Sequence, residues 1–246
     1  MDPNGIDGRP LLRLACAFEF SSRELAMEAL GLTATCYSDV HKYLDDPGYT
    51  GQEASYRSTS LVEILQRVQT DDRFKTRSGD GDVKVVFHDH EAALLDHWNA
   101  WQIEETDPVA QFHSMQTLAT ALLLSSVNAE SYYYVLTTTH AIRTILPLTP
   151  TRFQIPLLRQ WWLFTLAVYV AANRPIVDLE RLGAVDLNGR DWRWVMDKVV
   201  RGPHAGDPHV VQTVRVFREA ESLWDESVWV GAGVLFLEGL AATNPL

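Results

Sequence analysis

The stretch WWLFTLAVYVAA, residues 161–172, is apolar at nearly every position and decides the fold class of the chain. Polar and charged residues bound it on both sides, at 159–160 and at 173–174. The run is therefore shorter than the roughly 20 apolar residues that a bilayer-spanning helix needs. The pattern predicts a helix over about residues 155–173 that is buried in the middle of the fold.

Helical patterns continue on both sides of this stretch, with short polar or proline-containing breaks between them. Ser21 or Ser22, with Glu24 in the first turn, opens a segment that extends to about Leu44 and is apolar around most of its circumference. We expect this helix to lie in the middle of the fold. Further helices are predicted at about residues 60–68, 85–101, 107–126, 130–146, 192–199 and 208–224.

The order of these segments indicates the architecture, because no strand-like alternation, internal repeat or low-complexity run separates them. The sequence predicts an all-α fold, a single-domain multi-helix array around a buried central helix that spans residues 1–246. Residues 231–246 form an unusually apolar tail. Such a tail either docks on the core or marks a surface for a partner protein or a second copy of the chain.

The composition excludes several classes of partner. The 246 residues carry a formal net charge of −11, and no basic cluster is present that would bind nucleic acid or an anionic membrane. Cys16 and Cys36 both lie in apolar surroundings, which favours buried, reduced thiols. Residues 1–5, MDPNG, lack the basic and apolar regions of a secretory signal, so we expect a cytoplasmic protein.

Common catalytic and nucleotide-binding motifs are absent from the sequence. It contains no Gly-x-Gly-x-x-Gly, no P-loop, no Gly-x-Ser-x-Gly, no His-Glu-x-x-His and no Cys-x-x-Cys. The candidate sites therefore depend on histidine.

His140 is the first candidate, because it lies in the middle of a helix with polar neighbours on an otherwise apolar segment. Thr137, Arg143 and Thr144 are neighbours at spacings of three and four residues. A stripe that mixes His, Thr and Arg is typical of a cavity wall, although a buried histidine that is hydrogen-bonded to a neighbour fits the same pattern. His140 is accordingly a candidate acid–base group or metal ligand.

The other histidines are weighed by their helical positions. His209 follows the Asp207 cap at the start of a helix, where the helix dipole favours a neutral imidazole that suits a metal ligand or a base. An ordinary position near the cap is the alternative. His90 and His97 share one helix face, and we expect a solvated or rim position for both. His41 is expected as a cation at the C-terminus of the first long helix.

Large aromatic side chains are numerous, with 8 Trp, 8 Tyr and 9 Phe residues. Most of them are expected in the core, and some could form a slot for a planar substrate. The candidate lining residues of that slot are Trp98, Trp101, Trp161, Tyr133 and Thr137.

Several segments, in the same order, resemble the questin oxidase-like family, and the resemblance covers residues 10–224. They are EFSSRELAMEAL (19–30), HKYLDDP (41–47), HEAALLDHWNAW (90–101), LTTTHAIR (136–143) and LRQWWL (158–163). The resemblance implies an oxidoreductase of fungal secondary metabolism that cleaves an anthraquinone-type polyketide ring oxidatively, in a formally Baeyer–Villiger-like reaction. It also implies NADPH, or a non-haem iron held by histidines and a carboxylated lysine, as cofactor.

Differences from the family pattern bear on that cofactor. Family members are longer, and this chain resembles their C-terminal part. Arg13 stands where the resemblance implies a histidine, and an arginine stays protonated and does not bind iron. Gln212 stands where a lysine is implied. His140 and His209 remain as candidate metal ligands, fewer than the three protein ligands that such iron usually has.

Three hypotheses follow. The first is an oxygenase-type oxidoreductase that acts on a small aromatic polyketide, with His140 as ligand or acid–base group and with Arg13 and Arg143 holding a phenolate or carboxylate. The second is an enzyme that uses the same pocket without a metal and catalyses cyclisation, isomerisation or hydrolysis. The third is a non-catalytic, truncated partner protein with an interface at its C-terminal tail.

Overall fold

The structure, a computed structural model, describes residues 8–35, 39–75, 82–125 and 130–243. Within these ranges the regular structure is helical, and the only bridge between extended residues joins Ser58 and Trp101. The predicted all-α class is therefore confirmed. The helices are α1 (Arg9–Glu19), α2 (Arg23–Thr35), α3 (Lys42–Asp45), α4 (Pro47–Thr50), α5 (Leu61–Thr70), α6 (Val83–Asp89), α7 (Glu91–Asn99), α8 (Phe112–Ser125), α9 (Glu130–Ile145), α10 (Thr151–Ala171), α11 (Glu180–Gly183), α12 (Trp192–Arg201), α13 (Pro208–Trp224) and α14 (Val228–Thr243).

The described residues divide into two compact units. Unit 1 comprises the residues up to Met115 together with Thr138–Pro175. Unit 2 comprises Gln116–Thr137 together with the residues from Ile176 onward. The assignment of the whole chain to one domain stays a prediction.

Helix α10 supplies much of the core of unit 1. Most of its residues from Leu158 to Ala171 are buried, and α6 and α7 pack against it. The indole N–H of Trp98 in α7 donates to the carbonyl oxygen of Arg159 at 2.8 Å. The predicted buried helix is confirmed. None of the helices in the described ranges combines the length and apolar character needed to cross a membrane.

The helix predicted over residues 21–44 is shorter than expected. Helix α2 ends at Thr35, residues 36–38 lie outside the described residues, and a 3₁₀ turn at Asp39–His41 leads into α3. The sequence pattern also missed α1. Ser21, between α1 and α2, has a φ of 50°, and a right-handed helix does not continue through a residue with positive φ. The chain therefore reverses there, and α1 packs against α2.

Helix α2 lies at the surface and not in the middle of the fold, so that prediction is wrong. Ala29 is its buried residue, whereas Met27 and Leu30 are 64% and 59% exposed. Four of its 13 residues are small, namely Ala26, Ala29, Gly31 and Ala34. These small residues bury little apolar area, so α2 gains little free energy from a central position.

The helix predicted over residues 85–101 is interrupted at His90, which separates α6 from α7. His90 and His97 are 6% and 3% exposed, so the predicted solvated position for both is wrong. Phe74, which is distant in sequence, packs on both rings, with centroid distances of 5.4 Å to His90 and 5.9 Å to His97. The burial depends on this long-range contact, which helical periodicity does not reveal.

A polar network holds His97 in the interior of unit 1. Its Nδ1 lies 2.7 Å from the Tyr56 hydroxyl, and its Nε2 lies 2.8 Å from Oδ2 of Asp71. Burial lowers the pKa of His97. Burial alone would raise the pKa of Asp71, but hydrogen bonds from Arg73 and His97 outweigh it and lower that pKa. The network therefore favours a neutral imidazole beside an ionised carboxylate.

The depressed pKa of His97 predicts a pH-dependent stability. In the unfolded chain this histidine binds a proton near pH 6.5, while the folded protein binds it only at lower pH. The contribution of neutral His97 to the free energy of unfolding is complete above pH 6.5. It is lost as the pH falls from 6.5 through the lower pKa that His97 has in the folded protein. We expect the free energy of unfolding in urea to fall as the pH is lowered below 6.5, and His97→Asn to flatten that slope. The same slope in His97→Asn and in the wild type would contradict this assignment.

Unit 2 contains a valine-rich core formed by α12, α13 and α14. The buried valines that pack together are Val195, Val199, Val210, Val214, Val230 and Val234. The apolar tail belongs to α14, and its residues Val234 and Leu237 are buried in this core. The tail therefore docks within its own unit, which was the first of its two predicted roles.

Candidate functional site

Unit 1 contains an apolar cavity of about 310 Å³. This volume lies at the lower end of the roughly 300–1,000 Å³ that small-molecule sites occupy. The walls come from α1, α2, α6, α9 and α10 and from the 3₁₀ turn before α3.

Helical spacing explains how α10 presents one face to the cavity. Its lining residues include Leu157, Gln160, Trp161 and Phe164. These positions follow the spacing i, i+3, i+4 and i+7, which places side chains on one face of a helix. The start of the apolar stretch that defines the fold is therefore also part of the cavity wall.

Polar groups in the wall are few. They are the side chains of Thr33, His41, Thr138 and Gln160. The Thr33 hydroxyl donates to the carbonyl oxygen of Ala29 at 2.9 Å, within α2. No other described residue forms a side-chain hydrogen bond with Gln160, so its amide keeps two donor hydrogens and an acceptor oxygen for a ligand. Apolar walls with a few polar groups are typical of small-molecule sites.

An aromatic and ionic cluster fixes the part of the wall that contains His41 and Phe87. Tyr43 stacks on Phe87 with ring centroids 5.3 Å apart. The Tyr43 hydroxyl donates to Oε1 of Glu91 at 2.6 Å, and Lys42 donates to the same oxygen at 2.8 Å. The Lys42 hydrogen bond lowers the pKa of Glu91. His41 thus lies in a short turn at the cavity, and its predicted position at the C-terminus of a long helix is wrong.

Gly8 lines the cavity at the N-terminus of α1. Its φ of 76° lies in the left-handed region that favours glycine. A Cβ atom at this position would collide with the methyl group of Thr138. Glycine therefore allows α1 to approach α9 closely at this wall.

The candidate acid–base residue His140 lies on another face of α9. Thr138 and Ile142 line the cavity, whereas His140 between them does not. Its Nε2 lies 2.8 Å from Oε1 of Glu19, and its Nδ1 lies 3.0 Å from Nη2 of Arg143. A guanidinium only donates, so Nδ1 accepts from Arg143 and the Nε2–H donates to Glu19. The geometry thus assigns the ring proton of His140 to Nε2.

Arg13 and two of the candidate tryptophans lie outside the cavity wall. Arg13 pairs with Glu28, and both side chains are about half exposed. Trp98 and Trp101 are fully buried in the core, and Trp161 is the candidate tryptophan that lines the cavity. The functional roles assigned to these residues from sequence stay predictions.

Unit 2 contains the remaining candidate residues. His209 stacks on Tyr133 with ring centroids 4.2 Å apart, and the Tyr133 hydroxyl donates to the side chain of Gln212. The hydroxyl of buried Thr137 donates to the carbonyl oxygen of Tyr133 at 2.9 Å. The Asp207 side chain accepts from the backbone N–H of His209 at 2.8 Å, which confirms the predicted cap. The role of His209 as a metal ligand stays a prediction.

In unit 1, Glu19 and His140 offer a carboxylate oxygen and a ring nitrogen close enough together to hold a metal ion. In the present arrangement those two atoms are hydrogen-bonded to each other, so iron would have to displace that hydrogen bond and Arg143 would have to move. Iron on Nε2 would need the lone pair of that nitrogen, and the ring proton would then lie on Nδ1. Nδ1 faces the guanidinium of Arg143 at 3.0 Å, and two donors cannot share one hydrogen bond. Metal-bound histidines usually donate their second N–H to an acceptor, and arginine is not one.

The described cavity wall lacks the basic side chains that commonly hold the phosphate groups of NADPH. The phosphate groups of a dinucleotide need arginine or lysine side chains, or backbone N–H groups at a helix N-terminus with a glycine-rich turn. The described cavity wall contains neither arginine nor lysine. The sequence likewise lacks the glycine-rich motif.

His41, Thr138 and Gln160 are cavity residues that the sequence interpretation did not select. Thr138 is one position away from Thr137, and one residue corresponds to about 100° around a helix. For Gln160 a signal was present, because it lies four residues before Phe164 and directly before Trp161 on an apolar helix. Nothing local marks His41, since its proximity to the cavity depends on tertiary packing.

A model of the protein family described as questin oxidase-like matches residues 7–217. The match covers most of the chain and confirms the family resemblance. No curated protein matches the sequence.

Proposed function

The chain belongs to the questin oxidase-like family, and from this membership we propose that it is an oxidoreductase of secondary metabolism that acts on an aromatic polyketide. The family description indicates an oxidase-type activity. The observation that supports an aromatic substrate is the unit 1 cavity, about 310 Å³ in volume and walled by aromatic and aliphatic side chains.

The wall suits a planar ring system. Phe87, Trp161 and Phe164 supply aromatic surface from α6 and α10, and ring–ring contacts contribute about 0.5–1.5 kcal/mol each beyond the buried area. Leu11 and Leu14 of α1 add aliphatic surface. Burial of a ligand's apolar rings contributes roughly 25 cal/mol per Å², so most of the binding free energy comes from the ring faces.

The polar groups of the wall suit the substituents of a polyketide. The Gln160 amide offers donor hydrogens to a ring carbonyl oxygen, and its own oxygen accepts from a phenol. His41 and Thr138 add polar atoms elsewhere in the wall. An anthraquinone-type ring carries both carbonyl and phenol groups, which matches this mixture.

The specific reaction that we propose is oxidative cleavage of an anthraquinone-type ring. One oxygen atom of O₂ inserts into the C–C bond next to a ring carbonyl, which converts the ketone to a ring ester. The other oxygen atom leaves as water, with a hydride from an added reductant such as NADPH and one proton from solvent. The cavity residues bind the ring, orient it and exclude water. A bound iron, where present, would supply oxygen activation, and no residue of the cavity is assigned to that task.

The test is turnover by the purified chain with a hydroxylated anthraquinone, NADPH and ¹⁸O₂, with and without added Fe²⁺. The expected product contains one ¹⁸O atom by mass spectrometry. Turnover by chelator-treated protein would exclude the iron-dependent version. Absence of labelled product under every condition, from protein that binds the anthraquinone, would contradict the oxidoreductase proposal.

A metal-free, non-redox reaction in the same cavity is the second candidate. The described cavity wall favours it, because His41 is the one residue there of a type that commonly binds iron, and such iron usually has at least three protein ligands. Cyclisation, isomerisation or hydrolysis would proceed at the same rate without oxygen. An anaerobic assay with the same substrates therefore separates the two candidates.

A further inference from the structure

The described wall of the unit 1 cavity contains no Asp, Glu, Lys or Arg. His41 is the only ionisable side chain of the described wall. A carboxylate that enters the wall loses its hydration and finds no guanidinium or ammonium group there, which is unfavourable. Neutral hydroxyl and carbonyl groups need only a hydrogen bond, and the Gln160 amide supplies one.

From this lining, and resting on the proposed function, we propose that the cavity selects uncharged hydroxylated aromatic ligands over their carboxylated relatives, with Gln160 as the residue that sets this selectivity. The proposal concerns the charge of the ligand, and the reaction carried out on it is a separate matter. It replaces the sequence-based hypothesis that Arg13 and Arg143 hold an anionic group, because neither arginine lies in the wall.

Arg159, next to Gln160 in sequence, does not supply a positive charge to the cavity wall. Arg159 lies on a different face of α10, with its guanidinium carbon 6.0 Å from the centroid of the Trp98 ring. Burial lowers the pKa of Arg159. Arg159 is also absent from the cavity lining, so a carboxylate beside Gln160 finds no guanidinium there.

The Gln160 amide is suited to form a hydrogen bond with an uncharged oxygen atom of a ligand. Its amide has no side-chain partner among the described residues, and its helix face also presents Trp161 and Phe164 to the cavity. A ring that stacks on these aromatic side chains brings its polar substituents toward the amide. Replacement of the amide by a guanidinium at this position would supply the missing positive charge.

The test compares two probes that differ at one substituent, 1,8-dihydroxy-3-hydroxymethylanthraquinone and 1,8-dihydroxyanthraquinone-3-carboxylate. Dissociation constants are measured by calorimetry for the wild type, Gln160→Arg, Gln160→Leu and Thr151→Arg. Thr151 is exposed at the start of α10 and is not a lining residue, so Thr151→Arg controls for the added charge. Circular dichroism and urea unfolding check that each variant is folded.

The wild type and Thr151→Arg are expected to bind the hydroxymethyl probe roughly 100-fold more tightly than the carboxylate. Gln160→Arg is expected to reduce or reverse that ratio, and Gln160→Leu to weaken binding of the hydroxymethyl probe about tenfold. Equal affinities of the wild type for the two probes would overturn the selectivity and leave the proposed function standing. An unchanged ratio in Gln160→Arg would overturn the role of Gln160. Failure of the wild type to bind either probe would instead overturn the proposed function.

Discussion

Trp161→Ala is expected to weaken the binding of a hydroxyanthraquinone about 100-fold and to lower the free energy of unfolding by about 3–5 kcal/mol. Trp161 is 2% exposed and lines the cavity, and it stacks on Trp162 with ring centroids 6.2 Å apart. Loss of the indole removes a wall against which the ligand packs and leaves a void in the core. Calorimetric titration measures the affinity, and urea unfolding measures the stability.

Trp101→Ala is the matched control for this prediction. Trp101 is 1% exposed and packs edge-on against Trp162 with ring centroids 5.8 Å apart, but it does not line the cavity. A similar loss of stability is expected, with unchanged affinity in the folded protein. Equal losses of affinity in the two variants would show that binding follows general stability and does not depend on this wall.

Arg174→Met is expected to lower the free energy of unfolding by about 3 kcal/mol. The Arg174 guanidinium donates to the carbonyl oxygens of Val68, Asp71 and Phe74 at 3.0–3.1 Å, and to that of Gln69 at 3.2 Å. These carbonyl groups lie at the end of α5 and in the turn after it, where helix carbonyls run short of donors. Those of Val68 and Asp71 also accept a backbone N–H, at 3.3 and 3.2 Å. Methionine keeps part of the apolar stem but no donor, so all four carbonyl groups lose a charged donor together, and those of Val68 and Asp71 keep only a backbone N–H.

Arg152→Met, an exposed position on α10, is the control for Arg174→Met. Surface substitutions of this kind change stability by about 0.5 kcal/mol or less. Equal unfolding midpoints for the two variants would contradict the view that Arg174 joins the C-terminal end of α10 to the end of α5 within unit 1.

Local signals explain which parts of the fold were predictable. Helix α9 was predicted at 130–146 and runs over Glu130–Ile145, and α13 was predicted at 208–224 and runs over Pro208–Trp224. Pro147 lies two residues beyond the end of α9, and α13 begins at Pro208 after an aspartate cap. Such termini depend on residues within one turn, so the sequence alone determines them.

The parts that sequence reasoning missed depend on contacts between distant residues. The burial of His97 requires Tyr56, Asp71 and Phe74, which are more than twenty positions away along the chain. The reversal of chain direction at Ser21 requires a positive φ, which a serine in the sequence does not indicate. The cavity brings together several helices, so its lining could be guessed only in part. Of the predicted lining residues, Trp161 lies in the described wall, and its role in substrate binding stays a prediction.

A cavity-filling substitution is the most direct test of whether the unit 1 cavity binds an aromatic polyketide. Leu30 on α2 lines the cavity and is 59% exposed, while Met27, one turn earlier, is 64% exposed and is not a lining residue. The measurement is the dissociation constant of 1,8-dihydroxy-3-hydroxymethylanthraquinone for the wild type, Leu30→Trp and Met27→Trp. Leu30→Trp is expected to lose binding, because the indole fills the cavity, while Met27→Trp is expected to retain the wild-type affinity. Equal binding by all three proteins would contradict this expectation.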